Sequence, residues 1–184
     1  MNTKKDIILN TPLTAEKIKL LRSGDTVLLS GRVYGARDEA HKRIVESIKK
    51  KEPLPVDLKD STIFYVGPCP APPGKASGSI GPTTAARMDG LTAPLLKKGL
   101  KAMIGKGARS SRLKANLKNY QAVYFTAVGG IAAYLAERVK KIEPIAYKDL
   151  GAEALYMMDL AEFPLFVAYD AYGGDIFAEA LRRE

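Results

Sequence analysis

The pattern of apolar and polar positions along this chain switches repeatedly between the helical period and the strand period. From Asp38 to Lys51 the apolar residues Ala40, Ile44, Val45 and Ile48 recur on one helical face, with Asp38 placed to cap the first turn. Ser111 to Tyr120 and Ile131 to Lys141 also read as helices, Thr14 to Leu21 as a short one closed by Gly24, and a helical pattern covers Thr83 to Lys98. Runs rich in aliphatic and β-branched residues predict strands at Thr26 to Val33, Ser61 to Val66, Leu100 to Ile104, Ala122 to Thr126, Ile142 to Tyr147, Ala154 to Leu160 and Leu165 to Tyr169. Helices interleaved with strands in this way predict an α/β fold. With 184 residues, no internal repeat and no linker-like stretch, residues 1–184 read as a single domain.

One stretch follows neither period. Gly67 to Pro82 is long for a loop inside a domain, and such loops are commonly functional. Pro68, Pro70, Pro72 and Pro73 stiffen its first half, while its second half is small, glycine-rich and hydroxyl-bearing, and leads into the predicted helix at Thr83. Unpaired N–H groups at a helix start, with the hydroxyls of Thr83 and Thr84, suit a phosphate or a carboxylate. A nucleotide P-loop is excluded. The spacing from Gly67 to Gly74 is too long, no Ser or Thr follows Lys75, and the prolines lack the N–H groups a phosphate cradle needs.

Three cations lie near such junctions: Arg37 just before Asp38, Arg87 one helical turn after Thr83 and Thr84, and Lys106 between Gly105 and Gly107 at a strand end. A guanidinium grips a carboxylate in a two-bond fork and an ammonium adds a compact charge, so two forks and one ammonium fit a small dicarboxylate. His41, the single histidine, falls on the first turn after Arg37, where it could carry a proton, orient Arg37 or serve packing. Cys69 sits between two prolines with no basic neighbour nearer than Lys75, which reads as an inert thiol. Val128-Gly129-Gly130-Ile131 is too short a glycine turn to claim a dinucleotide site and reads as close packing. Arg32 is an alternative to Arg37, set within a strand-like run.

Composition narrows the classes. At 46% apolar and 27% charged residues the chain is neither disordered nor collagen-like, and its one cysteine can neither form an internal disulfide nor assemble a metal centre alone. Met1 to Asn10 carries charge before the short apolar triplet Ile7-Ile8-Leu9, far below the length of a signal or membrane segment, which predicts a cytoplasmic protein. The net charge of +9 is uneven: residues 1–120 carry 23 basic and 10 acidic side chains, residues 121–184 carry 6 and 10. That excess fits a solvated surface, a small anionic substrate or an acidic partner. A basic nucleic-acid-binding module is the rival from another class, and it calls for interleaved exposed aromatics or a known motif.

Gly35-Ala36-Arg37-Asp38-Glu39-Ala40-His41, Gly67-Pro68 and the string Ser77-Gly78-Ser79-Ile80-Gly81-Pro82-Thr83-Thr84-Ala85-Ala86-Arg87-Met88-Asp89, followed by Lys106-Gly107 and Gly129-Gly130, resemble the β subunit of class I, iron-sulfur-dependent fumarate hydratase. The same pattern is similar to the β subunit of L-tartrate dehydratase and to the C-terminal domain of single-chain class I fumarases. The resemblance implies a three-layer swivelling β/β/α domain and a hydro-lyase of the tricarboxylic acid cycle that interconverts fumarate and L-malate. It also implies an αβ hetero-oligomer, α2β2 being one form, whose separate α subunit holds a 4Fe-4S cluster, so that this chain alone binds no cofactor. By the same resemblance Arg37 and Arg87 hold substrate carboxylates, Lys106 and Thr84 belong to the substrate site, and Thr83 handles the substrate proton. L-tartrate is the alternative substrate.

Overall fold

In a computed structural model, which describes residues 5–182, the chain runs β1 (Ile7–Asn10), α1 (Ala15–Lys19), β2 (Thr26–Gly35), α2 (Asp38–Lys50), β3 (Thr62–Phe64), a 3-10 turn (Ala86–Met88), α3 (Asp89–Lys97), β4 (Ala102–Gly105), α4 (Ser111–Tyr120), β5 (Val123–Thr126), α5 (Ala132–Glu137), β6 (Val139–Ala146), a 3-10 stretch (Lys148–Glu153), β7 (Leu155–Tyr169) and α6 (Ile176–Leu181). The fold is mixed α/β, with a core dominated by its sheet. The seven strands are ordered β1-β2-β3-β4-β5-β7-β6. β1 to β5 are mutually parallel and β7 is antiparallel to β2, β5 and β6. Because β7 pairs with both β2 and β5, strands β2-β3-β4-β5-β7 close into a ring of pairings.

The period-2 alternation of the short parallel strands feeds two cores. Phe64, Ile104, Val123 and Phe125 point to one side, where they meet Leu29, Val33, Met158, Phe163 and Leu165 of β2 and β7. Ile63, Met103 and Tyr124 point to the other, where they meet Ile44 and Val45 of α2, Leu95 of α3 and Leu113 and Leu117 of α4. Strands buried on both faces read as continuous apolar runs, as these do.

Several elements depart from the sequence expectation. β1 forms from the Ile7-Ile8-Leu9 triplet, which is too short to show a period, and pairs in parallel with Val27–Ser30. The two strands expected at Ala154 to Leu160 and Leu165 to Tyr169 are one strand of 15 residues. Pro164, which has no N–H to donate, falls between the end of β6 pairing at Leu160 and the start of β5 pairing at Phe166. The helix expected over Ile131 to Lys141 stops at Glu137, and its last residues belong to β6. The helix expected from Thr83 begins only at Asp89. The charged start Met1–Lys4 lies outside the described residues. No helix among the described residues is long and apolar enough to cross a membrane.

Candidate functional site

In a parallel sheet every strand delivers its following loop to the same edge, so residues distant in sequence meet at the carboxyl ends. Arg37 follows β2, Tyr65 follows β3, Lys106 follows β4, and these three strands are neighbours. The 67–82 loop leaves after β3 and brings the chain back beside its own departure point. Thr83 N donates to Tyr65 O (2.9 Å), Lys106 N donates to Thr83 O (3.1 Å) and Ala85 N donates to Lys106 O (3.0 Å). Thr84 and Lys106 thus form a parallel bridge that places the Thr83–Arg87 segment against the end of β4. Gly105 makes this approach possible, because a Cβ there would lie 2.9 Å from both Ala85 Cβ and Tyr65 Cδ2.

The side chains at this edge form one polar cluster. Asp38 accepts a two-bond fork from Arg87, Nε to Oδ1 at 2.8 Å and Nη2 to Oδ2 at 3.0 Å, and its Oδ2 lies 3.6 Å from Arg37 Nε. Arg87 Nη2 also donates to Thr83 Oγ1 at 3.2 Å. Arg37 Nη2 pairs with Glu153 Oε1 at 3.0 Å, and Glu153 Oε2 accepts the backbone N–H of Glu39 at the start of α2. A Cβ on Gly67 would stand 2.9 Å from Arg37 Nη1, so glycine at that position leaves room for the guanidinium. Lys106 is exposed and has no ion pair among the described residues. The hydrogen bonds from Arg87 lower the Asp38 carboxyl to about 2, against the opposing effect of its partial burial.

Beneath the cluster lies a buried layer. His41 is fully buried, its Nδ1 lies 2.8 Å from the carbonyl oxygen of Arg37, and its ring packs edge-on to Tyr65 with centroids 5.2 Å apart. A carbonyl only accepts, so Nδ1 carries the proton. Burial pushes the imidazole down to about 4, so it is neutral at neutral pH. The Arg109 guanidinium is buried between the rings of Tyr65 and Tyr124, its Cζ 5.2 and 4.9 Å from their centroids, and pairs through Nε with Asp89.

The five residues singled out in the sequence lie on this one edge: Arg37, Thr83, Thr84, Arg87 and Lys106. Arg32 does not join them; it sits in mid-strand on β2, 3.6 Å from Asp159. Two expectations about local structure are corrected. Asp38 is the first residue of α2 and makes no cap, because both of its oxygens are taken by Arg87 while Arg37 occupies the cap position. The amides around Thr83 and Thr84 are not free helix-start donors: Thr83 N and Ala85 N are used in strand-like pairing, so anion recognition falls to side chains. Cys69 is exposed in the proline-rich loop. Sequence reasoning assigned no role to Glu153, Tyr65, Asp89 or Arg109. Asp89 was visible as the last residue of the Ser77–Asp89 string; nothing in the sequence linked it to Arg109.

Comparison with known proteins adds a family. The fumarase C-terminus family matches residues 1–180. A Methanocaldococcus jannaschii protein named as an L(+)-tartrate dehydratase β subunit is 39% identical over 177 residues, covering 93% of this chain and 91% of its own. The L(+)-tartrate dehydratase β subunit of Escherichia coli is 33% identical over 94% of this chain and 87% of its own. The aerobic class I fumarate hydratase of Salmonella typhimurium is 39% identical over 82% of this chain, which there spans only 26% of the relative.

Proposed function

The chain belongs to the fumarase C-terminus family, and from that premise we propose that it is the β subunit of a hydro-lyase, fumarate hydratase, interconverting fumarate and L-malate. One observation carries the reading: Arg37 and Arg87 share the Asp38 carboxylate, Thr83 bonds to Arg87, and Lys106 is bridged to the same segment, so all four lie on one edge of the sheet. L-tartrate dehydratase is the second reading, favoured by alignment over 87% of the Escherichia coli β subunit of that name. We read residues 1–184 as one domain of the three-layer swivelling β/β/α type, supported by the two cores on opposite sides of the parallel strands. Placement in the cytoplasm belongs to the same proposal.

The residues of this chain do not fit an iron-sulfur cluster. Cys69 is its one cysteine, and the described residues contain no group of three or more His, Cys, Asp or Glu side chains that could hold a metal. We therefore assign the 4Fe-4S cluster to an α subunit partner and this chain's part of the reaction to binding and charge. Each arginine presents a planar fork of the kind that carboxylates fill, and an incoming substrate carboxylate takes the place that Asp38 holds on Arg87. Lys106 places its charge on the same edge. When the C–H proton leaves the substrate, the negative charge that develops on the adjacent carboxylate is stabilised by these fixed cations. The Thr83 hydroxyl accepts a hydrogen bond from Arg87, which fixes its place at the edge; a cation beside a hydroxyl lowers its basicity, so the proton-accepting role of Thr83 rests on the family resemblance.

The test is expression of the chain with its α subunit under anaerobic conditions, with assays on fumarate, L-malate and L-tartrate. The pair interconverts fumarate and L-malate, and the isolated chain does not. Turnover of L-tartrate without fumarate moves the assignment to the second reading, and turnover of neither refutes both. Thr83→Ala lowers turnover by about 100-fold or more without affecting assembly; wild-type turnover in that variant removes Thr83 from the role.

A further inference from the structure

Arg87 and Lys106 stand on separate elements, and the contact that ties those elements together lies behind them. Asp89, two residues after Arg87, accepts from Arg109 Nε through one oxygen and from the backbone N–H of Ser110 through the other, at 2.7 Å. Arg109, three residues after Lys106, reaches on to Thr92 Oγ1 at 3.3 Å, and its backbone N–H donates to Tyr169 Oη at 2.9 Å. The 106–110 segment is therefore fastened at both ends: to Thr83 and Ala85 by backbone pairing at Lys106, and to the start of α3 by Asp89. The same Arg109 lies against the ring of Tyr65, which touches His41, which in turn holds the carbonyl of Arg37. The three cations at the edge, Arg37, Arg87 and Lys106, thus each connect to this buried layer.

We propose that Asp89 and Arg109 are positioning residues, which set the separation of Arg87 and Lys106 to the span between the two carboxylates of the substrate. The proposal rests on the dicarboxylate reading of the site. A pair that only stabilised the fold would not care whether the ligand carries one carboxylate or two. A pair that sets a spacing would, since a displacement of about 1 Å costs on the order of 100-fold in rate when two groups must be met at once.

The experiment uses the assembled αβ complex with Asp89→Asn and Arg109→Lys, substitutions that keep size or charge and lose the Nε–carboxylate contact. Inhibition constants are measured for succinate, with two carboxylates, and butyrate, with one. The expected result is a rise of roughly 10-fold or more for succinate and roughly 2-fold or less for butyrate, with kcat/KM falling alongside the succinate affinity. Equal changes for both ligands, or none, overturn the proposal. Hydrogen exchange over residues 83–88 and 103–110 is read in the same variants: faster exchange there, with α2 unchanged, is required, and unchanged exchange also overturns it. The exchange readout needs no turnover, so it judges the lock even where a wild-type complex inactive on every diacid has sunk the hydro-lyase reading.

Discussion

Two arginine–aspartate pairs, a two-bond fork at Arg87–Asp38 and a single Nε contact at Arg109–Asp89, differ sharply in their access to water. In Arg87–Asp38 the side chains are 44% and 23% exposed; in Arg109–Asp89 they are 0% and 15% exposed. At the edge, water screens the pair and makes its partners exchangeable, so the fork holds Arg87 in shape until a substrate carboxylate replaces Asp38. In the interior, losing one partner strands the other in a poor solvent, so the pair is permanent. The same chemistry serves recognition in one place and geometry in the other, and burial decides which.

The sharpest way to break this comparison is at the buried pair. Arg109→Leu leaves the Asp89 carboxylate without its partner, and denaturant unfolding should show a loss of about 3–5 kcal/mol. At the edge the balance reverses. Arg37→Ala and Arg87→Ala in the assembled complex should each lower kcat/KM by about 3 kcal/mol in transition-state stabilisation while moving unfolding stability by about 1 kcal/mol or less. Wild-type kcat/KM in both variants would remove the edge from catalysis.

Acid separates the layers further. The pKa of His41 falls from 6.5 in the unfolded chain to about 4 in the fold. Between those values the unfolded chain binds the proton and the fold does not, so stability is full above pH 6.5 and declines as pH drops toward 4, by about 3 kcal/mol. His41→Asn, which keeps a donor for the Arg37 carbonyl and does not titrate, should flatten that decline. Asp38 gives a smaller effect at lower pH. Its carboxyl moves from 3.8 to about 2, so its contribution is complete above 3.8 and is lost as pH falls through 2. Discounted for the exposure of both partners, it amounts to about 1 kcal/mol, and Asp38→Asn should abolish it.

How legible the molecule was depended on the range of the forces concerned. The α2 and α4 helices were readable nearly to the residue, because a helix of 10 to 13 residues satisfies its own backbone and repeats its apolar face several times. The cations Arg37, Arg87 and Lys106 stood out because the first two lie near expected helix starts and the third at a strand end between glycines, while their sharing of one edge came only from the fold. β1 was not, since three apolar residues make a strand only when β2 is there to pair with them. Thr83 and Thr84 looked like a helix start and became part of the sheet, because Tyr65 and Lys106 offered paired backbone groups that no local rule announces. The fork from Arg87 drew Asp38 away from its expected cap for a similar reason.

By itself the amino-acid sequence determined the α2 and α4 helices, which residue types suit anionic chemistry, and the aperiodic loop Gly67–Pro82. Those features rest on interactions among neighbours along the chain. Only the tertiary structure decided that three strand ends share one edge, that Asp38 lies between two arginines, and that Arg109 is dry. Such outcomes depend on pairing and burial between residues far apart in sequence, where the cost of closing long stretches of chain is met only once the whole sheet has formed.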